Sequence, residues 1–200
     1  MSEPAGPSRR RGRRPAGEDL RSAILVAARE EFARHGYAGA TLRGIARAAG
    51  VDARLVHHYF TGKDDVFAAA MELPVRPGDI VEAALAGGLE GIGERLLRGF
   101  FAVWDTPGGR VRIVAIVSSV LSSETGIRMI KEFLVQEVFE RIAAALGPDD
   151  PELRAALAAS QVIGLIMIRY VARIEPVASA DPEEIISFVG PTLQRYLTGD

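Results

Sequence analysis

Two hundred residues, 48% of them hydrophobic and 25% charged, suffice to bury a core and exclude a disordered or fibrous chain. The absence of cysteine excludes disulfides, thiolate catalysis and thiolate metal sites. The net charge of −2 conceals a division: residues 1–63 hold 12 Lys/Arg and 6 Asp/Glu (+6), and residues 64–200 hold 12 and 20 (−8), so a polyanionic partner is expected at the front only.

Residues 1–17 (MSEPAGPSRRRGRRPAG) have no apolar face and are expected to form a disordered basic arm. Its five arginines, directly before the binding domain, suit DNA phosphates or a minor groove, the alternative being a solubilising tail. No apolar h-region follows them, which gives no sign of a signal peptide. The apolar run Ala155–Ile168 is too short to span a bilayer. A cytoplasmic protein without a membrane partner is expected.

Glu18–His35 reads as a helix with Leu20, Ile24, Ala27, Ala28 and Phe32 on one face, ended by Gly36. Thr41 caps a second helix with apolar Leu42, Ile45, Ala46 and Ala49. Gly50 suits a turn that needs positive φ, and Asp52 caps a third helix whose buried side is Val56 and Phe60. Two short helices joined through Gly form a helix-turn-helix pattern, whose second helix enters a DNA major groove. A fourth helix starts at Lys63, and Pro74 and Pro77 interrupt the chain near a domain boundary at about residues 73–78. The domains expected are 18–76 for DNA binding and 77–200 for effector binding and dimerisation.

The remainder is all-helical, giving about ten helices in all. Asp79 is read as the cap of a short helix over Ile80–Ala86, and Leu89–Trp104 as the next helix. Thr106–Gly109 reads as a turn. Arg110–Ser122, rich in Val and Ile, is expected to be a largely buried helix. Glu124–Leu146, a helix from Pro151 to about Arg173, and a helix capped by Asp181 with Pro182 at its first position complete the chain.

At the helix-turn-helix, Arg54 lies in the first turn of the third helix, where a bidentate contact to guanine is expected. Ala53 and Leu55 are placed for thymine methyls, and Thr41 for a phosphate or simply as a cap. Asp52 is read as a cap, because a carboxylate against DNA costs affinity. His57 and His58 are adjacent and point about 100° apart on a helix, so they cannot chelate one ion; no metal and no cofactor are expected. No GxSxG, HExxH or P-loop pattern is present, and the chain is not expected to be an enzyme.

The segment from Leu20 to Met71, with its AAREEFARHGYAGATLRGIARAAGV run and the His58-Tyr59-Phe60 to Lys63 to Phe67 ending, resembles the DNA-binding domain of the tetracycline-repressor (TetR) family. The resemblance implies a one-component regulator, most simply a repressor, that binds a pseudo-palindromic double-stranded operator as a homodimer. It gives Arg43 a base edge, and Tyr59 and Lys63 the DNA backbone. It leaves Leu42 and His58 within the interface, and His57 where the family usually has Tyr. It further implies a small-molecule pocket among the central helices, where Phe100, Phe101, Trp104, Met129, Phe133, Met167 and Tyr170 lie, with Trp104, Tyr170 and Arg169 as polar handles and a hydrophobic effector. Those large groups are equally read as plain core. The last two helices, through Leu157, Gln161, Leu165, Ile168, Ile185, Phe188 and Val189, would form a four-helix bundle with a twin subunit; the alternative is a core within one chain. Other functional classes are a DNA-binding architectural protein without effector, and a helical lipid carrier or enzyme.

Overall fold

The structure, a computed structural model, describes residues 17–146 and 149–199. Ten helices and no strand occur among the described residues: α1 (Gly17–Gly39), α2 (Leu42–Ala48), α3 (Ala53–Tyr59), α4 (Lys63–Ala70), α5 (Pro77–Leu85), α6 (Ile92–Trp104), α7 (Pro107–Leu121), α8 (Glu124–Ala145), α9 (Pro151–Val171) and α10 (Pro182–Thr198). The basic arm expected over residues 1–17 lies outside the described residues, apart from Gly17 at the start of α1.

Side-chain oxygens fix the helix starts, each taking up an amide that the helix cannot pair itself. Thr41 Oγ1 accepts from the Gly44 amide at 3.0 Å and Asp52 Oδ1 from the Arg54 amide at 2.8 Å. Thr106 and Ser123 cap α7 and α8 in the same way, and Asp181 caps α10. Gly36, at φ 72° and ψ 176°, breaks the helical path of α1 as expected. Gly50 stands at φ 67° between α2 and α3, and the Val51 amide returns to the Ala46 carbonyl at 3.0 Å.

Three expectations need correction. Thr106–Gly109 is not a free turn: Thr106 is a cap, and Pro107, Gly108 and Gly109 make the first turn of α7, where Pro loses no hydrogen bond. Likewise α5 begins at Pro77, so Asp79 sits inside its first turn, paired with Arg76, instead of capping it. Finally, α7 is not largely buried: within it only Gly109 and Ile113 are, and Val111 is 73% exposed. This helix forms an edge of the bundle, touching mainly α6, α8 and the end of α9, so one side alone is covered.

Two apolar cores result. The front one gathers Ile24, Phe32, Tyr37, Ile45, Val56, Phe60, Val66 and Phe67 from α1–α4 and the turns between them, and takes in Phe133 from α8. The rear one is built from α5–α10 around Ile92, Leu97, Phe101, Ile186, Leu193 and Leu197. Its tightest crossing is α6 on α10, where a Cβ at Gly93 would meet the backbone carbonyl of Gly190 and lie 2.8 Å from the Gln194 amide nitrogen. Only glycine allows that approach. α9 is long and apolar enough by length and composition to cross a membrane, yet it packs along α10 as a wall of this bundle and carries a buried arginine.

Candidate nucleic-acid interface and its link to the helical domain

On α2 and α3 the apolar faces turn inward through Ile45, Ala46 and Val56, so the polar faces are presented together. Thr41, Arg43, Asp52, Arg54, His57 and His58 are exposed; Leu42, Ala53, Leu55, Tyr59 and Lys63 are half-buried. Arg43 and Arg54 enter no ion pair among the described residues, whereas Arg29, Arg34, Arg76, Arg98, Arg110, Arg141 and Arg169 do. Arg47, one turn beyond Arg43, is a further exposed arginine without an ion pair there. The sequence reading passed over it, although its i, i+4 spacing from Arg43 was the available signal. The carboxylate of Asp52 accepts from the Arg54 amide, as its reading as a cap required.

Lys63 is more constrained than its position suggested. Its Nζ donates to the Tyr37 carbonyl at 3.0 Å and lies 4.5 Å from the Tyr37 ring centroid. The Tyr59 ring meets that of His58 edge-on, with centroids 5.2 Å apart.

The turn that Lys63 touches is gripped from the other side by α8. Glu132 accepts the Ala38 amide at 2.9 Å, and Glu137 accepts the Tyr37 hydroxyl at 2.7 Å. Between them the Phe133 ring stacks on Phe67 at 4.4 Å and meets Tyr37 edge-on at 5.1 Å. Burial first, and then the Glu137 carboxylate, push the Tyr37 phenol far above its ordinary pKa, so it stays a donor. Glu137 is held in turn by Arg141 at 2.7 Å, which also pairs with Glu82 of α5. Val135–Phe139, the stretch of α8 carrying Glu137, is wound as a π-helix, a form frequent at functional sites.

Behind this grip lies an apolar cavity of about 350 Å³, walled by α5–α9. Phe100, Trp104, Phe133 and Met167 line it. Phe101, Met129 and Tyr170 do not. Met129 packs on the front core, Phe101 faces the Arg169 guanidinium at 5.5 Å, and the Tyr170 hydroxyl donates to Asp105 at 3.0 Å. The inner residues of α7 (Ile113, Ile116, Val117, Val120), with Val138 and Phe139 of α8, complete much of the wall. The β-branched run of α7 was their only signal in the sequence.

Asp105, next to Trp104, takes two hydrogen bonds from Arg169 at 2.9 and 3.1 Å, with Arg110 at 3.0 Å as a further cation. Arg169, whose side chain is 2% exposed, spends another nitrogen on the Val177 and Ala180 carbonyls. Burial opposes the Asp105 charge, but the bonds from Arg169 and Tyr170 outweigh it and hold the carboxyl below its usual pKa.

Of the residues expected at a subunit interface, Leu157 and Phe188 are exposed, Phe188 by 75%; Gln161, Ile168 and Val189 are half-buried. Leu165 and Ile185 belong to the subunit's own core. Leu153 and Ile163 of α9 are further exposed apolar groups. No cluster of three or more His, Asp or Glu placed to hold a metal occurs among the described residues.

Geometry of this kind, a helix-turn-helix carried on a hollow helical domain, defines a DNA-binding regulator of the ligand-domain class. Residues 24–70 match the model of the bacterial regulatory proteins, tetR family, and residues 90–197 that of the tetracyclin repressor-like C-terminal domain. The HTH-type transcriptional repressor SCO4008 of Streptomyces coelicolor is 38% identical over 72 residues, a match spanning 38% of that relative's length and 32% of this chain. A TetR-family regulator of the same organism, SCO0857, is 38% identical across 93% of this chain and 99% of its own, with a TM-score of 0.48. NalD of Pseudomonas aeruginosa, titled the secondary repressor of the MexAB-OprM multidrug efflux pump, is 23% identical, covering 92% and 97%, at a TM-score of 0.44. The chain belongs to the TetR family of DNA-binding transcription regulators, which are not enzymes.

The Asp105–Arg169 pair generates a stability prediction. Asp105→Asn leaves a buried guanidinium without its counter-charge and is expected to cost about 3–5 kcal/mol in urea unfolding. Because the carboxyl is lowered in the folded state, the native pair's contribution is full above the ordinary carboxylate pKa and is lost as pH falls through the lowered value. An acid limb of the stability curve that is unchanged in Asp105→Asn would contradict this.

Proposed function

We propose that the protein is a cytoplasmic repressor that binds a pseudo-palindromic operator in double-stranded DNA as a homodimer and is released by a hydrophobic effector in the α5–α9 cavity. Residues 18–76 serve DNA binding, and 77–200 effector binding and dimerisation. The observation that carries the reading is the α8 grip: one helix lines the cavity with Phe133, Val138 and Phe139 and holds the Tyr37 turn of the reading head.

In this reading α3 enters a major groove. Arg54 reads guanine, Ala53 and Leu55 meet thymine methyls, and Arg43 reaches a second base edge. Thr41, His57, Tyr59 and Lys63 position the phosphates, with Leu42 and His58 at the rim and Asp52 turned to its cap. Arg47 adds a phosphate contact. The apolar groups that α9 and α10 leave exposed, Leu157 and Phe188 above all, are covered by the same groups of a twin subunit, with Gln161, Ile168 and Val189 beside them. Two half-sites fixed on DNA demand two heads at fixed separation, so a shift of a few ångström in α8 is enough to end simultaneous docking.

Arg54→Ala is expected to cost about 1–3 kcal/mol of operator affinity, at one base position of each half-site. Lys63→Ala should weaken all sequences alike and flatten the salt dependence. Fluorescence anisotropy with a set of point-mutated operators, selected first from random duplex DNA, separates the two outcomes.

Phe188→Asp places a charge in the proposed subunit contact. Sedimentation should show a monomer where the native chain is a dimer, with operator affinity falling at least about tenfold because the second head no longer adds to the first.

Tyr37→Phe keeps the ring stack and deletes the hydrogen bond to Glu137, which retains Arg141. Operator affinity without ligand should stay within about threefold. The loss of affinity caused by N-phenyl-1-naphthylamine, a neutral apolar dye, should shrink by about fivefold, since allosteric coupling is commonly worth 1–3 kcal/mol. If the native protein binds the dye and never releases operator, the architectural reading without effector replaces this one.

A further inference from the structure

The cavity wall is chemically one-sided. Every one of its lining side chains is a hydrocarbon or a thioether except that of Trp104. Trp104 is 7% exposed, and its indole nitrogen makes no hydrogen bond among the described residues. Yet no side-chain nitrogen or oxygen sealed from solvent lacks a partner among the described residues, so this N–H, on a side chain that lines the cavity, is within reach of solvent. Indole nitrogen is a donor only and usually finds an acceptor when buried. The charged groups beside it offer nothing to a ligand. Asp105 is saturated by Arg169, Tyr170 and Arg110, and the Arg169 guanidinium is committed to Asp105 and to two backbone carbonyls.

We infer that the ligand of this cavity is an uncharged, mainly hydrocarbon molecule bearing one hydrogen-bond acceptor, a ketone, ester or ether oxygen, which the Trp104 indole N–H receives. This deepens the effector reading above and rests on the cavity being a ligand site. Three physical constraints set the class. A carboxylate or ammonium would be stripped of water with no counter-ion to meet it, the costliest transfer a pocket can impose. A pure hydrocarbon would leave the indole donor unpaired. A molecule with several polar groups would bury acceptors and donors against Leu, Ile, Val and Phe. The volume of about 350 Å³ lies at the small end of the range for ligand sites.

Butylbenzene, valerophenone and phenylvalerate share one hydrocarbon body and differ in carrying no acceptor, one neutral acceptor or a carboxylate. Each is titrated against the native protein, with Trp104, the single tryptophan of the chain, as the fluorescent reporter. Displacement of N-phenyl-1-naphthylamine gives an independent readout that also serves for variants. Valerophenone is expected to bind about three- to tenfold tighter than butylbenzene, as one net hydrogen bond allows, and phenylvalerate at neutral pH weakest of all. In Trp104→Phe the preference for valerophenone over butylbenzene should vanish while butylbenzene binding is kept. The comparison among ligands in the native chain needs no variant, so a folding defect in Trp104→Phe, visible by circular dichroism, leaves the first test in force. Tightest binding by phenylvalerate, a ketone preference that survives in folded Trp104→Phe, or no binding by any of the three overturns the assignment. Valerophenone that binds through Trp104 but leaves operator affinity unchanged upholds the ligand class and overturns the release reading instead.

Discussion

The structure depends on the contact of Phe133 with Phe67 and Tyr37. It is where the core around the helix-turn-helix meets the core around α6 and α10, with Met129, Ile130 and Leu134 of α8 beside it and Leu73, ahead of the prolines at 74 and 77, packed against both. A fully buried aromatic side chain is worth roughly 1.5–3 kcal/mol of apolar transfer, and edge-to-face partners add about 0.5–1.5 kcal/mol more. That is enough to seat the front domain on α8. It is small enough for a ligand to oppose with binding energy of its own. The polar bonds at either side, Glu132 to the Ala38 amide and Glu137 from Tyr37, give the seat a direction that stacked rings alone do not have. Neighbouring Arg76, bonded to both Asp64 and Asp79, stiffens the proline link as well, so α4 and α5 do not swing freely.

Much of this was legible in the sequence because it is written locally. Thr41, Asp52 and Asp181 announced helix starts, and Gly36 and Gly50 the turns, since capping and positive φ need only a few neighbouring residues. The polar face of α2 and α3 followed from the same periodicity. What escaped were relations across the fold. Phe133 reads as one apolar residue of an amphipathic helix, and nothing nearby in sequence says that it serves the front core as well as the cavity wall. For α7, apolar content predicts burial, but its place at the edge of the bundle leaves Val111 outside. Hydrophobicity states what a residue would bury if covered, and only topology states whether it is covered. The π-turn of Val135–Phe139 has no composition signal at all.

The charges of the rear half follow a consistent logic. Ion pairs ring the cavity without entering it: Arg169 and Arg110 with Asp105 at one end, Arg141 with Glu137 and Glu82 at another. Such pairs fix helices in register, a use better attested than net stabilisation. Because Arg141 and Glu137 sit on α8 just behind the Tyr37 bond, the ring of pairs also defines where α8 stands. The cavity is therefore a compartment whose walls are hydrocarbon and whose frame is polar and directional. Two stretches of that frame, Val135–Phe139 of α8 and Met167–Val171 of α9, are wound as π-helix and have a neighbouring regular form available, since a π-turn and an α-turn differ by one residue of register.

A reading head that moves with α8 is useful only if something outside the subunit fixes the reference against which it moves. In the proposed dimer that reference is supplied by the exposed apolar residues of α9 and α10. Phe188 stands on α10, which packs mainly on α6 and α9, and Leu157 stands on α9, which packs on α10 and on the second half of α8. In a two-fold assembly each such residue is buried twice, once from each subunit, so a few side chains are enough to hold the pair. In the proposed dimer the distance between heads would be set by α10 and α9 at the axis, and its change by α8 against them. Rigidity and motion are thereby assigned to different helices of one small bundle. On that proposal the close crossing of Gly93 on Gly190 belongs to the fixed part, and the aromatic seat of Phe133 to the part that gives.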